Sequence, residues 1–385
     1  MFKEENINFL KGSIPQTIIG DTVSLCHKCH IHVPAIRYEK DGKIWMAKIC
    51  EEHGLTHHLI EPDADFYHNL ECSYDDERFN FNGGVLIEGS DRCNLECPHC
   101  YHEPDNQLKD PARNLLLHNI KSLDLGKNAV HRIILAGAES TLRKDFSELV
   151  ADINNLNSAM DVSVMTNGIK FNDTQFVKKA LDAGLASANI GLNHPSYIDH
   201  DTVRKKQVSA IENMHKLGAP IGYISYTMNN FSELDDILKE ITTELWMPKN
   251  FRIRYGSDIG RNPGQQRLWV SDIYKATEQW CRQNNKHFKQ IEKADNNIYH
   301  VMVEIEDKIV RLIQWCDETD IDMEELKSGP WCNFVPDGVT NFLHQIIRRD
   351  VWKNKGFRLP DKPPQRYLFS RTPTMEPLNI YNLIG

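Results

Sequence analysis

GGVLIEGSDRCNLECPHCY, residues 83–101, places an apolar run, Val85–Glu88, directly ahead of three cysteines spaced Cys93-x3-Cys97-x2-Cys100. The run predicts a strand, and the cysteines fall in the loop that follows it. Loops at the carboxyl ends of parallel strands are where α/β folds carry their sites. Three thiolates can hold three irons of a cubane 4Fe–4S cluster. Full protein ligation uses four, so one iron is left open to another ligand. Pro98, with its locked φ, stiffens the loop. Two plainer readings stand beside this one: a zinc knuckle completed by His99 or His102, and buried free thiols. The zinc reading leaves the pattern downstream unexplained.

That pattern is an alternation. Apolar runs at Val85–Glu88, Arg132–Ala136, Val162–Thr166, Ala188–Leu192, Ile221–Thr227 and Phe251–Tyr255 read as strands. Amphipathic stretches at Ala112–Leu123, Lys144–Asn157, Asp173–Ala183, Asp201–Leu217 and Ser232–Leu245 lie between them. Strand-then-helix repetition predicts a parallel sheet with right-handed crossovers, and six strands make a partial barrel. The expected class is α/β, with the barrel over residues 80–270. A metal-bound ribbon over residues 1–75 precedes it, and an α+β extension over residues 271–385 follows and caps the active site. In that extension a helix is expected near Ser271–Asn284. Val301–Ile305 and Ile309–Ile313 read as a hairpin about Asp307-Lys308. The Pro- and Arg-rich stretch from Phe357 reads as an extended tail.

The 385 residues are 40% hydrophobic and 26% charged, as a globular protein with a full core requires. A net charge of −9 gives no general basic field and argues against broad nucleic-acid binding. No run of about 18 apolar residues suggests a membrane span. MFKEENINFLKGSIPQ is too polar for a signal peptide, so a cytoplasmic location is expected. Ten cysteines in such a compartment point to metals rather than disulfides.

CNLECPHCY resembles the signature of the radical S-adenosylmethionine (SAM) superfamily, with Tyr101 as the aromatic residue beside the last cysteine. The resemblance covers roughly residues 83–260. It implies a partial (βα)6 barrel and a cluster on Cys93, Cys97 and Cys100. It also implies reductive cleavage of SAM to methionine and a 5′-deoxyadenosyl radical, which takes hydrogen from a substrate. Gly137-Ala138-Glu139-Ser140 is similar to the family's Gly-Gly-Glu-Pro motif, whose backbone and acid hold the methionine ammonium. It departs from that motif at Ala138 and Ser140. Thr166-Asn167-Gly168 matches the family's Thr-Asn-Gly. Asn189 and Asn193 share a strand face, and by resemblance one of them meets the ribose or the carboxylate. Arg254 suits a bidentate clamp on the methionine carboxylate.

A second cysteine group precedes the barrel. Cys26-x2-Cys29, then twenty residues, then Cys50-x2-His53 has the spacing of a tetrahedral Cys3His site of the zinc-ribbon or rubredoxin type. Zinc suits a closed N/S site better than iron does. Cys72, His57 or His58 are alternatives to His53. The stretch SLCHKCHIHVPA…KICEEHG resembles the N-terminal ribbon of the pterin-methylating and tetraether-lipid-forming branch of the same superfamily. Downstream, Cys281, Cys316 and Cys332 make no recognisable cluster motif and read as small buried hydrophobes.

The leading functional expectation is a radical SAM enzyme acting on a small organic molecule, for C–C bond formation or rearrangement. A flavodoxin- or ferredoxin-type donor would supply its electrons. Modification of a peptide or protein side chain is the alternative, and a non-catalytic zinc-ribbon or Fe–S adaptor the remote one. Trp315, Trp331 and Phe334, with Cys316, Asp317 and Asp337, are candidates for lining the substrate site.

Overall fold

The computed structural model describes residues 4–26, 28, 32–69, 84–97, 100, 104, 106–121, 132–157, 160–193, 201–228, 230–243, 247–255, 268–293, 300–313, 367–368 and 378–379. The chain opens with helix α1 (Glu4–Ser13). An antiparallel meander follows, made of β1 (Thr17–Leu25), β2 (His32–Lys40), β3 (Lys43–Cys50) and β4 (Gly54–Glu61). Period-2 alternation gives this sheet two apolar faces. Ile44 and Met46 point to the main core of the molecule, while Ala47 and partly buried Trp45 and Ile49 pack with Leu10 and Ile14 at α1. The ribbon sheet therefore lies between α1 and the barrel.

After α2 (Ala64–Asn69) the alternation expected from the sequence is present. Its units are β5 (Gly84–Ser90) with α3 (Arg113–Lys121), β6 (Arg132–Gly137) with α4 (Phe146–Asn154), and β7 (Asp161–Thr166) with α5 (Thr174–Asp182). They continue with β8 (Leu185–Asn193) and α6 (Asp201–Lys216), β9 (Ile221–Met228) and α7 (Ser232–Thr243), and β10 (Asn250–Tyr255) and α8 (Val270–Gln283). Strands β5 to β10 are neighbours in chain order, and every adjacent pair is parallel. This is the partial (βα)6 barrel. Helices turn one stripe inward: α4 buries Phe146, Leu149, Val150 and Ile153, at the i, i+3, i+4, i+7 positions of one helical face. On the sheet, Ile224, Tyr226 and Met228 of β9 and Phe251 and Ile253 of β10 join that core. The alternate residues of these strands face the barrel interior.

The expected hairpin forms as β12 (His300–Ile305) and β13 (Lys308–Ile313), with Glu306 taking the left-handed φ of 55° at its turn. Its placement was not foreseen. β13 runs parallel to β10, pairing Arg252 with Arg311, and β12 and β11 (Phe288–Lys293) extend the sheet to nine strands. In the tail, β14 (Tyr367–Leu368) and β15 (Leu378–Asn379) form a short antiparallel pair. Cys281 is fully buried in the core. Cys72, Cys316 and Cys332, and the aromatic candidates Trp315, Trp331 and Phe334, lie outside the described residues.

Candidate active site at the carboxyl ends of the barrel strands

Cys93, Cys97 and Cys100 sit just beyond β5, partly exposed. The loop is built from its flanks. Ser90 Oγ donates to Asp110 at 2.7 Å and accepts from Arg92 N at 3.1 Å, and Arg92 Nε donates to the same carboxylate at 3.0 Å. Buried Arg143 donates to the carbonyls of Gly89 at 2.9 Å and Pro111 at 2.8 Å, and forms a two-pronged pair with Asp145 at 3.0 Å per bond. Both ends of the loop are thereby fastened to one guanidinium. Within it, Cys93 N donates to Asn106 Oδ1 at 3.1 Å, and Cys100 N closes a turn on Cys97 O at 3.1 Å.

Gly137 ends β6 at φ +98°, where a Cβ would fall 2.6 Å from Ser90 O. Only glycine lets β6 finish this close to the cysteine loop. Ala138 N and Glu139 N then donate to Ser90 O and Arg92 O at 2.9 Å each, so the motif loop lies directly on the cysteine loop. Ser140, one of the two departures from the family motif, is buried and donates to Ala136 O at 2.5 Å.

Glu139 is 1% exposed. Its Oε1 accepts from Thr166 Oγ1 at 2.8 Å, from Thr141 N at 3.3 Å and from the Thr141 hydroxyl, and its Oε2 accepts from Asn167 N at 2.7 Å. Burial raises its pKa against the pull of these donors. Asn167 carries the connection onward, for its Nδ2 donates to Asn94 Oδ1 at 2.8 Å and lies 3.7 Å from Cys93 Sγ. From behind, Gln207 of α6 donates to the carbonyls of Asn167 at 3.0 Å and Gly191 at 2.9 Å. Thr166, Asn167, Glu139, Gly137 and the cysteines thus form one connected rim.

The barrel interior is polar. Ser163 and Ser187 hydroxyls meet at 2.9 Å, and Asn189 lies over Gly222. Arg254 Nε donates to Thr227 Oγ1 at 2.8 Å, and Arg252 Nη1 to Tyr223 Oη at 2.9 Å. Asn189 and Arg254 therefore share the interior with the rim. Tyr101 and the side chain of Asn193 lie outside the described residues. Arg92, Asp110, Arg143 and Gln207 carried no sequence signal beyond the nearness of Arg92 to Cys93, since each acts through a distant partner.

The residues fit a cluster. Burial pushes the Cys93 thiol up to about 11, with Glu139 and then Cys100 adding to the rise. A thiolate here needs a cation against it, and iron supplies one. The ribbon site fits zinc. Cys26 Sγ and Cys50 Sγ each lie 3.5 Å from His53 Nδ1. Zn–S of about 2.3 Å and Zn–N of about 2.0 Å at a tetrahedral angle give an S···N edge of roughly 3.5 Å. His57 is instead engaged with Tyr38 Oη at 3.0 Å, and Cys29 lies outside the described residues.

The family matches fall on these two sites, a radical SAM domain behind an N-terminal zinc ribbon. Residues 87–241 match the radical SAM superfamily, and residues 18–62 match the HMPTM N-terminal zinc ribbon domain. Among relatives, the chain is 28% identical over 226 residues to a 7,8-dihydro-6-hydroxymethylpterin dimethyltransferase of Methanocaldococcus jannaschii, covering 51% of this chain and 44% of that one. It is 29% identical over 176 residues to molybdenum cofactor biosynthesis protein 1 of Bos taurus, covering 44% and 27%. To a probable GTP 3',8-cyclase of Methanococcus aeolicus it is 31% identical over 117 residues, covering 28% and 36%. The chain thus spans less than half the length of these relatives. Streptococcus suis SuiB bound to S-adenosylmethionine aligns with a TM-score of 0.46 at 12% identity, over 80% of this chain and 78% of that one.

Proposed function

We propose that the chain is a radical SAM enzyme acting on a small organic molecule, with its cluster on Cys93, Cys97 and Cys100. The observation that supports this best is the joined rim: the cysteine loop, the Glu139 loop and Thr166-Asn167 are hydrogen-bonded to one another at the strand ends. Bound cluster and SAM would supply one-electron cleavage of the S–C5′ bond, giving methionine and a 5′-deoxyadenosyl radical able to take a substrate hydrogen.

The chain's own residues hold and orient. Cys93, Cys97 and Cys100 would hold three irons and leave the fourth open to SAM. Asn167 steadies the Cys93 sulfur, and Glu139 fixes Asn167. Glu139, Gly137, Thr166, Asn167, Asn189, Asn193, Arg254 and Tyr101 form the proposed SAM-binding set, with Glu139 serving the ammonium and Arg254 the carboxylate. Residues 1–75 are the ribbon module, 80–270 the radical domain, and 271–385 the extension that caps the site. A flavodoxin- or ferredoxin-type protein of the cytoplasm is the proposed electron donor. Among the described residues no helix is long and apolar enough to cross a membrane.

Anaerobic reconstitution tests this reading. About four irons per chain, besides the ribbon metal, are expected. Dithionite and SAM should then yield 5′-deoxyadenosine. Iron near eight per chain with a second spectroscopic species would place another cluster on the downstream cysteines.

A further inference from the structure

Asn167 follows β7 with each of its polar groups engaged. Its N donates to Glu139 Oε2 at 2.7 Å, and its carbonyl accepts from Gln207 Nε2 at 3.0 Å. Its Oδ1 accepts from Ile169 N at 3.0 Å, an Asx turn, and its Nδ2 donates to Asn94 Oδ1 at 2.8 Å. The next residue, Gly168, takes φ +81°, and a Cβ there would fall 3.0 Å from Ile190 Cγ2. The backbone that carries this side chain is thus fixed by β7, by Glu139, by α6 and by a glycine turn.

The same contacts decide which way the amide faces. The two ends of an amide are told apart by their partners. Ile169 N can only donate, so the oxygen is turned to it and the NH2 group to the cysteine loop. One hydrogen of that group serves Asn94, and the other is left for Cys93 Sγ, 3.7 Å away. Leu95 N donates to the same sulfur at 3.4 Å. Cys93 Sγ therefore meets one donor from its own loop and one brought from the end of β7, 74 residues along the chain.

Hydrogen bonds to the ligand sulfurs help set the reduction potential of an iron–sulfur cluster. Reduction adds one negative charge, shared in part by the sulfurs, and hydrogen bonds strengthen as the acceptor gains charge. An N–H aimed at a ligand sulfur therefore favours the reduced state. We propose that the side-chain amide of Asn167 donates to the Cys93 ligand sulfur and raises the cluster's reduction potential. Asn167 is then a positioning residue that acts through Cys93, and it does so before SAM arrives. One electron enters from an external low-potential donor, and the proton stays on the amide. This deepens the reading of the chain as a radical SAM enzyme and rests on it.

Titration with dithionite, followed by EPR, tests the proposal on reconstituted full-length protein without SAM. Asn167→Leu keeps the size and loses the N–H. Asn167→Asp keeps an oxygen for Ile169 N and puts a second oxygen where the N–H was. Both should move the midpoint to a more negative potential, lowering the reduced-to-oxidised ratio at fixed potential by about threefold or more. A residue that only shaped the turn would leave the midpoint of Asn167→Asp where it was. Because a variant can fail to load iron, pulsed EPR of the reduced wild type reads the same contact: nitrogen-15 placed in asparagine side chains should couple to the cluster spin. A wild-type midpoint in either iron-loaded variant, or no such coupling, overturns the proposal. Failure of the underlying reading would show separately, as cluster-loaded wild type that releases no 5′-deoxyadenosine from SAM.

Discussion

Glu139 spends its carboxylate on two short stretches of backbone and side chain, Thr141 on one side and Thr166–Asn167 on the other. Removing it leaves buried donors unpaired, and each hydrogen bond to a charged group is worth about 1.5–3 kcal/mol. Glu139→Ala should therefore lower unfolding stability by roughly 3 kcal/mol and weaken SAM binding about tenfold or more. Urea titration and equilibrium binding would show both, whereas unchanged SAM affinity would move the ammonium contact elsewhere. Gly137→Ala places a methyl against Ser90 O at a φ that L residues rarely adopt. A loss of more than about 2 kcal/mol is expected, with poor iron loading, because the displaced carbonyl belongs to the cysteine loop. Iron content at wild-type levels would contradict that. The cysteines stand out in the sequence by their spacing, and Glu139 by the resemblance of its segment to a family motif. Arg143 does not stand out: its two carbonyl partners lie 54 and 32 residues away, and nothing local announces the pairing.

At the scale of elements, the ribbon meets the barrel where β4 ends against α8. Glu61 closes that joint, with Oε1 accepting from Ser271 Oγ at 2.5 Å and from Asp63 N at 3.0 Å, and Asp63 pairs with Lys275. Glu61 is fully buried, and burial pushes it from 4.5 to about 7. Below pH 4.5 both folded and unfolded chains hold the proton; above it the unfolded chain ionises first, and stability falls until the folded carboxyl ionises near 7. At about 1.4 kcal/mol per unit, the loss from pH 4.5 to 7.5 is of order 3 kcal/mol. Urea midpoints at pH 5 and pH 8 measure it, and Glu61→Gln should flatten the slope; an equal slope in that variant would assign it to other groups. This joint spans 210 residues of chain and left no mark on the local pattern. The hairpin is similar: alternation shows two strands, but their docking beside β10 depends on which sheet edge is open.

Across the whole molecule, the described residues share one main core. Ala35, Ile44, Met46, Ile60, Ala64 and Tyr67 of the N-terminal region belong to the same cluster as the barrel's Ile133, Val164, Ile190, Ile224 and Ile253. Zinc lost from the ribbon should therefore weaken the barrel too. Cys50→Ser is expected to lose the zinc and lower the midpoint of a single unfolding transition, while whatever folds keeps the spectrum of the radical cluster. Two separated transitions would show that ribbon and barrel unfold independently.

The loop after β5 is proposed to carry a cluster with one iron open to SAM. The direct measurement is 5′-deoxyadenosine released from SAM under dithionite by wild-type protein and by Cys93→Ala, Cys97→Ala and Cys100→Ala. Wild type should release it even without substrate, and each variant none, because a missing thiolate removes the cluster or opens the wrong corner. Cluster-loaded wild type yielding only methylthioadenosine, or a variant releasing as much 5′-deoxyadenosine as wild type, would contradict the claim.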